Sequence, residues 1–129
     1  IFLNVSIVGT AALITELGSA GDGGIVTQAV PSPHDTSLQI VGKYQSDMKA
    51  AGYNEFDFTD LEGYIDALVL TEILKKAGQN LTRESFAKAA ENLNINTGGL
   101  KFAYAPNNHQ ALNKVYMTKI SGGKAVLMK

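Results

Sequence analysis

The chain has 129 residues, of which 45% are apolar and 18% are charged, and its formal net charge is −1. These values indicate one domain's worth of globular chain with an ordinary core. Because the charge is balanced and Lys and Arg form no run, neither nucleic acid nor an anionic membrane surface is an expected partner. No apolar run approaches the roughly 20 residues of a membrane-spanning helix. The chain has no cysteine, which excludes disulfides and thiol catalysis.

The start of the chain predicts a strand, a helix and a second strand. Residues 1–8 are almost all apolar or β-branched, which is typical of a strand covered on both faces. Ile1 is therefore interpreted as an internal cut in a longer protein. Thr10 is the expected N-cap of a short helix that Gly18 stops, and residues 25–30 predict the second strand.

Two prolines, Pro31 and Pro33, interrupt this pattern. Proline fixes the backbone near an extended conformation and withholds its hydrogen-bond donor. This segment is therefore the best candidate for a hinge or a crossover between two parts of the protein.

Three helices are predicted in the middle of the chain. The first follows apolar residues at helical spacing over 38–51, with Asp35 or Thr36 as its cap. The second has Thr59-Asp60 as its expected cap and runs to Lys76. Its apolar residues spread over more than one stripe, so we expect this central helix to pack against more than one neighbour. The third starts at a Thr82 cap.

Strand signals return near the end, over 100–104, 114–120 and 125–128, and Ser121–Lys124 predicts the hairpin turn between the last two strands. The order of elements indicates an α/β fold. A helical middle without a strand of its own is nevertheless unusual in a self-contained fold.

No residue pattern indicates an enzyme. Asp57, Asp60 and Glu62 cluster near the start of the second predicted helix, but the helix dipole and capping also favour acids there. His34 and His109 stand in separate turns without further ligands at metal spacing. No Gly-x-Ser-x-Gly elbow is present. We therefore predict no catalytic residue, no metal and no cofactor.

One feature points to a small molecule. The first predicted strand ends at Val8-Gly9 and leads directly into the start of a helix. In open α/β sheets, ligands lie beyond the carboxyl ends of strands, where free N–H groups and the helix dipole attract carboxylates.

Several stretches share an order and spacing that is specific when they are taken together. They are Asn4–Leu13, Gly24–Pro31, Glu62–Ala67, Ala77-Gly78, Thr82–Ser85, Ala89–Leu93, Phe102–His109 and Tyr116–Gly123. Together they resemble the C-terminal part of the type I periplasmic solute-binding proteins of the branched-chain amino-acid ABC transporter family, which are also described as extracellular ligand-binding receptors.

This resemblance implies a Rossmann-like α/β fold of two lobes that close on a ligand held between them. Residues 1–30 would belong to the second lobe, residues 31–110 would contribute to the first lobe, and residues 111–129 would return to the second. The sheet partners of the helical middle would then lie in the upstream part of the same protein.

The resemblance also implies two regions of ligand contact. The expected ligand-binding residues are Ser6, Val8, Gly9, Phe58, Thr59 and Glu62. Some amino-acid binders of the family carry an acid at the first region, where this chain has none, which argues against an α-amino-acid ligand unless an acid from the upstream part substitutes. Phe58 is expected as an apolar wall, and for Glu62 a role as a helix-start acid is an equal alternative.

The implied function is capture of a small polar or carboxylate-bearing solute, an amino acid or a related organic acid, for the membrane permease of an ABC transporter. The implied location is the periplasm or the cell exterior. The alternative is a ligand-sensing receptor domain of the same fold. In isolation, the chain is expected to bind its ligand weakly or not at all, because half of the cleft is missing. It is also expected to expose apolar surface around the central helix, which favours self-association.

Overall fold

The computed structural model describes residues 2–128. The elements in chain order are β1 (Leu3–Val5), α1 (Thr10–Leu17), β2 (Ile25–Gln28), α2 (Gln39–Ala50), α3 (Phe58–Ala77), α4 (Arg83–Glu91), β3 (Asn94–Thr97), β4 (Leu100–Ala103), β5 (Tyr116–Ser121) and β6 (Lys124–Leu127). Short 3-10 turns over Ser6–Val8 and Gly18–Gly21 flank α1.

The strands of the described chain form two sheets. The larger has the order β1-β2-β5-β6, in which β1 and β2 are parallel and the other two pairs are antiparallel. The smaller is the antiparallel hairpin of β3 and β4. Because β5 returns to pair with β2, opposing Val26 to Thr118, the two ends of the chain share one sheet.

The hydrophobic core lies mainly among the helices and the β3–β4 hairpin. The buried residues of α3 form one stripe at three- and four-residue spacing, namely Phe58, Leu61, Ile65, Val69 and Ile73. This stripe packs with buried residues of α2, α4 and β4. Since α3 contacts both α2 and α4, the expectation that it packs against more than one neighbour is confirmed.

Outside that stripe, α3 also exposes apolar side chains. Leu70 and Leu74 are accessible to solvent in the described part of the chain, as expected for the central helix. Self-association of the isolated chain stays a prediction.

The predicted caps of the first two helices are wrong. Thr10 is the first residue of α1, and the N-cap is Gly9, whose φ of 71° an L side chain rarely adopts. Neither Asp35 nor Thr36 caps α2, because Asp35 instead closes a turn by accepting from the Ser37 N–H at 3.2 Å. One backbone donor at the start of α2 finds its acceptor in the turn between β3 and β4: the Ile40 N–H donates to the Gly98 carbonyl at 3.1 Å.

The predicted Thr59-Asp60 cap of α3 is also wrong, because the helix starts slightly earlier. Asp57 is the N-cap, and its Oδ1 accepts from the Asp60 N–H at 2.8 Å. The Thr82 cap of α4 is confirmed as a capping box, in which Thr82 and Ser85 each accept from the other's backbone N–H.

The strands differ most from the prediction. The first strand was expected over 1–8, of which Ile1 lies outside the described residues, and β1 covers only Leu3–Val5 because the chain then tightens into a 3-10 turn. Instead of being covered on both faces, Leu3 and Val5 are 71% and 57% exposed. The strand β3 was not predicted at all. The hairpin turn at Ser121–Lys124 is confirmed by the pairing of β5 with β6.

Candidate functional site

A cleft of about 580 Å³ opens where four separate segments meet. These segments are the first turns of α1, the crossover at Pro33-His34, the Phe56–Phe58 approach to α3, and the β5–β6 turn at Gly123–Ala125. The cleft therefore lies between the four-stranded sheet with its helix α1 and the helical core.

The α1 wall offers hydrogen-bond donors. No side chain caps α1, so its first-turn N–H groups keep the unsatisfied donors that every helix start presents. The positive end of the helix dipole lies at the same place. Thr10 and Ala11 line the cleft here, and this wall is suited to a carboxylate.

A buried polar network fixes the beginning of α1. The Gln28 side chain, 1% exposed, donates through Nε2 to Thr10 Oγ1 at 2.7 Å and to Thr118 Oγ1 at 3.3 Å. Thr118 in turn donates its hydroxyl proton to the Val26 carbonyl at 2.8 Å. Because an unsatisfied buried amide costs free energy, this network ties the first residue of α1 to β2 and β5.

The wall at the start of α3 is aromatic. Phe56 and Phe58 line the cleft, and Phe58 is buried. The Phe56 ring makes edge contacts with His34, at 6.4 Å between centroids, and with Tyr44, at 5.6 Å. These contacts hold Phe56 in place as an apolar surface.

Asp57 brings a carboxylate to the same wall. One of its oxygens caps α3, which leaves the other available to a ligand. Burial raises the pKa of the Asp60 carboxyl, and the negative charge of Asp57 adds to that shift. Asp57 is the acid among the residues that line the cleft.

Tyr44 supports this wall from beneath. It is fully buried, and burial raises the pKa of its hydroxyl to about 12, with the charges of Asp60 and Asp57 acting in the same direction. The backbone N–H of Asp57 opposes the shift, although the Tyr44 hydroxyl has no partner at hydrogen-bond geometry within the described residues. Tyr44 therefore stays neutral and acts by packing on Phe56.

The remaining wall carries a basic group. Lys124, in the β5–β6 turn, lines the cleft and is exposed. Lys124 and the start of α1 make one pole positive, Asp57 supplies a negative charge, and Phe56 and Phe58 are apolar. This combination suits a small carboxylate, or a zwitterion, with an apolar side chain.

The six residues predicted to bind a ligand are not all brought together. Phe58 lines the cleft, and Gly9 adjoins it as the N-cap of α1. Ser6 and Val8 lie in the preceding 3-10 turn, outside the cleft wall. Their role in ligand binding stays a prediction.

The other two predicted residues on α3, Thr59 and Glu62, do not line this cleft. Thr59 is exposed. Glu62 lines a separate pocket formed with the end of β2 and residues 110–115. A ligand contact by Thr59 or Glu62 also stays a prediction.

Sequence reasoning missed Thr10, Gln28, Phe56, Asp57 and Lys124 as site residues. A signal existed for Gln28, because alternation along Ile25–Gln28 places it on the same inward face as Val26, where a polar side chain needs a partner. For Lys124 no local signal exists, since only the fold brings the β5–β6 turn to α1.

Among residues 2–128, no group of three or more His, Asp or Glu side chains is arranged to hold a metal ion. No helix of the described chain combines the length and the apolar character needed to cross a membrane.

Comparison with known proteins supports the fold from two directions. A family model described as periplasmic binding protein matches residues 2–125. Among solved structures, a possible leucine/isoleucine/valine-binding protein from Rhodopirellula baltica SH 1 is 33% identical with a TM-score of 0.90, and the match covers 99% of this chain and 35% of that one. No curated protein sequence matches.

Two more distant structures are also similar. An extracellular ligand-binding receptor from Verminephrobacter eiseniae ef01-2 is 26% identical with a TM-score of 0.79, over 96% of this chain and 36% of that one. A branched-chain amino-acid ABC transporter protein from Thermus thermophilus with bound valine is 15% identical with a TM-score of 0.76, over 98% of this chain and 37% of that one, and shows the fold alone. The chain thus spans 35–37% of the length of these proteins. The predicted resemblance and fold class are confirmed.

Proposed function

The chain belongs to the periplasmic binding protein family, and on that premise we propose that it is part of a protein that captures a small carboxylate-bearing solute between two lobes for an ABC transporter. The observation that carries this proposal is the cleft between α1 and α3, with its positive pole, its acid and its apolar wall. The protein acts in the periplasm or outside the cell and passes its ligand to a membrane permease. It has no catalytic role, in keeping with a family and solved relatives that are binding proteins.

The proposed ligand is an amino acid with an apolar side chain, or the related organic acid. Its carboxylate meets the start of α1 and Lys124, its ammonium meets Asp57, and its side chain meets Phe56 and Phe58. Asp57 thereby provides the acid that the strand end at Ser6–Gly9 lacks. The missing acid at Ser6–Gly9 argued against an amino acid as the ligand. Because Asp57 supplies an acid, an amino acid is again a candidate ligand.

The proposed division into lobes follows the two sheets. Residues 1–30 and 111–129 contribute β1, β2, β5 and β6 to one sheet, whereas residues 31–110 contribute the helical core. Pro31 and Pro33, both buried, stand where the chain passes from one to the other.

The outer face of the four-stranded sheet also supports this division. It exposes Leu3, Val5, Met117 and Val126, which share that face by register. We propose that the upstream part of the same protein covers it, consistent with a chain that spans 35–37% of its solved relatives.

A sensing receptor of the same fold is the second candidate. It is favoured by the similarity to a protein described as an extracellular ligand-binding receptor. Uptake of radiolabelled solute by a reconstituted permease separates the two, because a transport component stimulates uptake and a purely sensory receptor does not.

The proposal is tested by calorimetric titration of the whole protein that carries this chain. The probes are L-leucine, L-valine and 4-methylpentanoate, which is leucine without its amino group. Saturable binding of at least one probe is expected. The absence of binding and of any rise in melting temperature with all three would refute the proposed ligand class.

Asp57→Asn tests the ammonium contact separately. Asn caps a helix about as well as Asp, so the variant removes the charge and keeps the start of α3. We expect the affinity for L-leucine to fall about tenfold, the scale of a partly desolvated ion pair, while the affinity for 4-methylpentanoate stays within about twofold. Equal losses for both probes would contradict this role of Asp57.

A further inference from the structure

We infer that buried Tyr44 is the positioning residue for Asp57. In the ligand-bound protein its hydroxyl accepts a hydrogen bond from the Asp57 N–H, and so holds the Asp57 carboxylate where the ligand's ammonium meets it. The inference rests on the proposed function. It concerns a residue that does not line the cleft and to which the family resemblance assigns no role.

The Tyr44 ring is held from two sides. Tyr44 is 0% exposed, and its ring makes edge contacts with Phe56, at 5.6 Å between centroids, and with Tyr64 of α3, at 5.5 Å. The helix that carries Tyr44 is tied to α3 by the 2.6 Å hydrogen bond from Tyr64 to Asp47. The hydroxyl is therefore a fixed group beneath the junction between the approach to α3 and the helix itself.

This hydroxyl lacks a partner. Its oxygen is buried and makes no hydrogen bond within the described residues, a state that it shares there only with Thr97 Oγ1. Buried polar groups in native proteins are nearly always hydrogen-bonded, and an unpartnered one costs free energy. The Tyr44 hydroxyl is thus an acceptor that some conformation of the protein should satisfy.

The Asp57 backbone supplies a matching donor. The Asp57 N–H makes no hydrogen bond among the described residues, although the Asp57 carbonyl accepts from the Leu61 N–H. The same N–H lies close enough to Tyr44 to oppose the rise in the pKa of its hydroxyl, yet it does not reach hydrogen-bond geometry. An unpaired donor and an unpaired acceptor therefore lie near each other.

The approach to α3 is the side that can move. Residues 53–57 belong to no helix or strand, whereas Tyr44 lies inside α2. A ligand shifts a conformational equilibrium only through contacts that it makes better in one state. The ammonium of an amino acid provides such a contact with Asp57, and a small displacement then brings the Asp57 N–H onto the hydroxyl. A carboxylate without an amino group provides none.

Tyr44→Phe tests the inference in calorimetric titration of the whole protein, with L-leucine and 4-methylpentanoate as probes. Phenylalanine keeps the ring contacts with Phe56 and Tyr64 and removes the acceptor. We expect the affinity for L-leucine to fall about fivefold, the scale of one neutral hydrogen bond, and that for 4-methylpentanoate to stay within about twofold. An unchanged affinity for L-leucine, or equal losses for both probes, would overturn the inference.

Tyr64→Phe is the matched control. Tyr64 does not line the cleft, and its hydroxyl donates to Asp47, so this variant should lower the melting temperature and leave both affinities unchanged. A purely structural role for the Tyr44 hydroxyl predicts the same result for Tyr44→Phe. The inference instead predicts that Tyr44→Phe without ligand melts no lower than wild type, because the hydroxyl it removes is unpartnered.

Hydrogen exchange at the Asp57 amide gives a readout that does not depend on affinity. In the wild-type protein, saturating L-leucine is expected to slow this exchange, because the hydrogen bond to Tyr44 protects the N–H. Saturated Tyr44→Phe should lack this protection. Equal slowing in the two proteins would contradict the proposed hydrogen bond.

A double-mutant cycle with Asp57→Asn separates the inference from the proposed function. Tyr44→Phe should cause no further loss of L-leucine affinity in the Asp57→Asn background, because the hydroxyl acts through the Asp57 charge, and additive losses would contradict a positioning role. If the wild-type protein binds neither probe, the proposed function fails and the inference fails with it. If Asp57→Asn lowers the affinity for L-leucine and Tyr44→Phe does not, the inference alone is refuted.

Discussion

Asp47 joins two helices through a single carboxylate oxygen. Lys43 Nζ, on the same helix, lies 2.7 Å from Asp47 Oδ2, and the Tyr64 hydroxyl donates to the same oxygen from α3 at 2.6 Å. The hydrogen bond from Lys43 and then that from Tyr64 hold the pKa of Asp47 below its ordinary value. The charged carboxylate is therefore the form that stabilises the packing of α2 on α3.

This gives a pH-dependent prediction. A carboxyl with a lowered pKa in the folded state stabilises the protein above its unfolded pKa, near 4, and loses that contribution as the pH falls through the lowered value. We expect Asp47→Asn to be less stable than wild type in urea unfolding at pH 7, with a difference that shrinks below about pH 4.

Glu55→Gln is the control for this prediction. Glu55 is exposed and makes no ion pair within the described residues, so its variant should follow the wild-type profile. A difference between wild type and Asp47→Asn that stays constant down to pH 3 would contradict the role given to the Asp47 charge.

Individual site residues were only partly predictable. Asp57, Thr59 and Asp60 can all cap a helix, and their sequence does not say which one does; the backbone around Asp57 decides it. Phe58 was expected only through the family resemblance, which implied an apolar wall at the start of this helix. Gln28 and Thr10 meet across 18 positions of sequence, a distance that no local pattern spans.

At the scale of elements, the β3–β4 turn and the start of α2 depend on one glycine. A Cβ on Gly98 would lie 2.6 Å from the Ile40 nitrogen and 3.1 Å from the Gln39 carbonyl carbon, and its φ is +63°. The same residue's carbonyl accepts from the Ile40 N–H. Close approach and positive φ thus both require glycine here.

Gly98→Ala is therefore expected to destabilise the protein by about 2–4 kcal/mol, from backbone strain together with the displacement of α2. Gly122→Ala is the matched control, because φ is +56° there and no atom lies within 4 Å of the added Cβ. The control should cost about 1–2 kcal/mol, from strain alone. Equal losses in thermal or urea unfolding would show that the contact with Ile40 contributes nothing.

Helices were predicted more accurately than strands for a physical reason. The 3.6-residue period and the Thr82 cap are local, and α2, α3 and α4 all appear near the expected positions. The Asn94–Thr97 strand contains one apolar residue, and its strand conformation depends on pairing with β4. By contrast, the apolar run over residues 1–8 predicted a longer strand than β1, because the chain leaves the strand at Ser6 and forms a 3-10 turn.

At the scale of the whole molecule, the cleft exists because β5 and β6 return to the sheet begun by β1 and β2. Pairing of Val26 with Thr118 brings Lys124 beside α1, while the crossover after β2 delivers the start of α3 to the opposite wall. The resemblance to a known family supplied this arrangement in outline. Periodicity and composition did not, because they contain no information on contacts between distant segments.

The central claim is that a solute binds between α1 and α3, and a crystal structure of the whole protein with bound L-leucine or 4-methylpentanoate tests it most directly. We predict ligand density in this cleft, with the carboxylate within hydrogen-bond distance of the first-turn N–H groups of α1, and the apolar tail against Phe56 and Phe58. For L-leucine, the ammonium should contact Asp57. Ligand density at the separate pocket beside Glu62, with none between α1 and α3, would contradict the account.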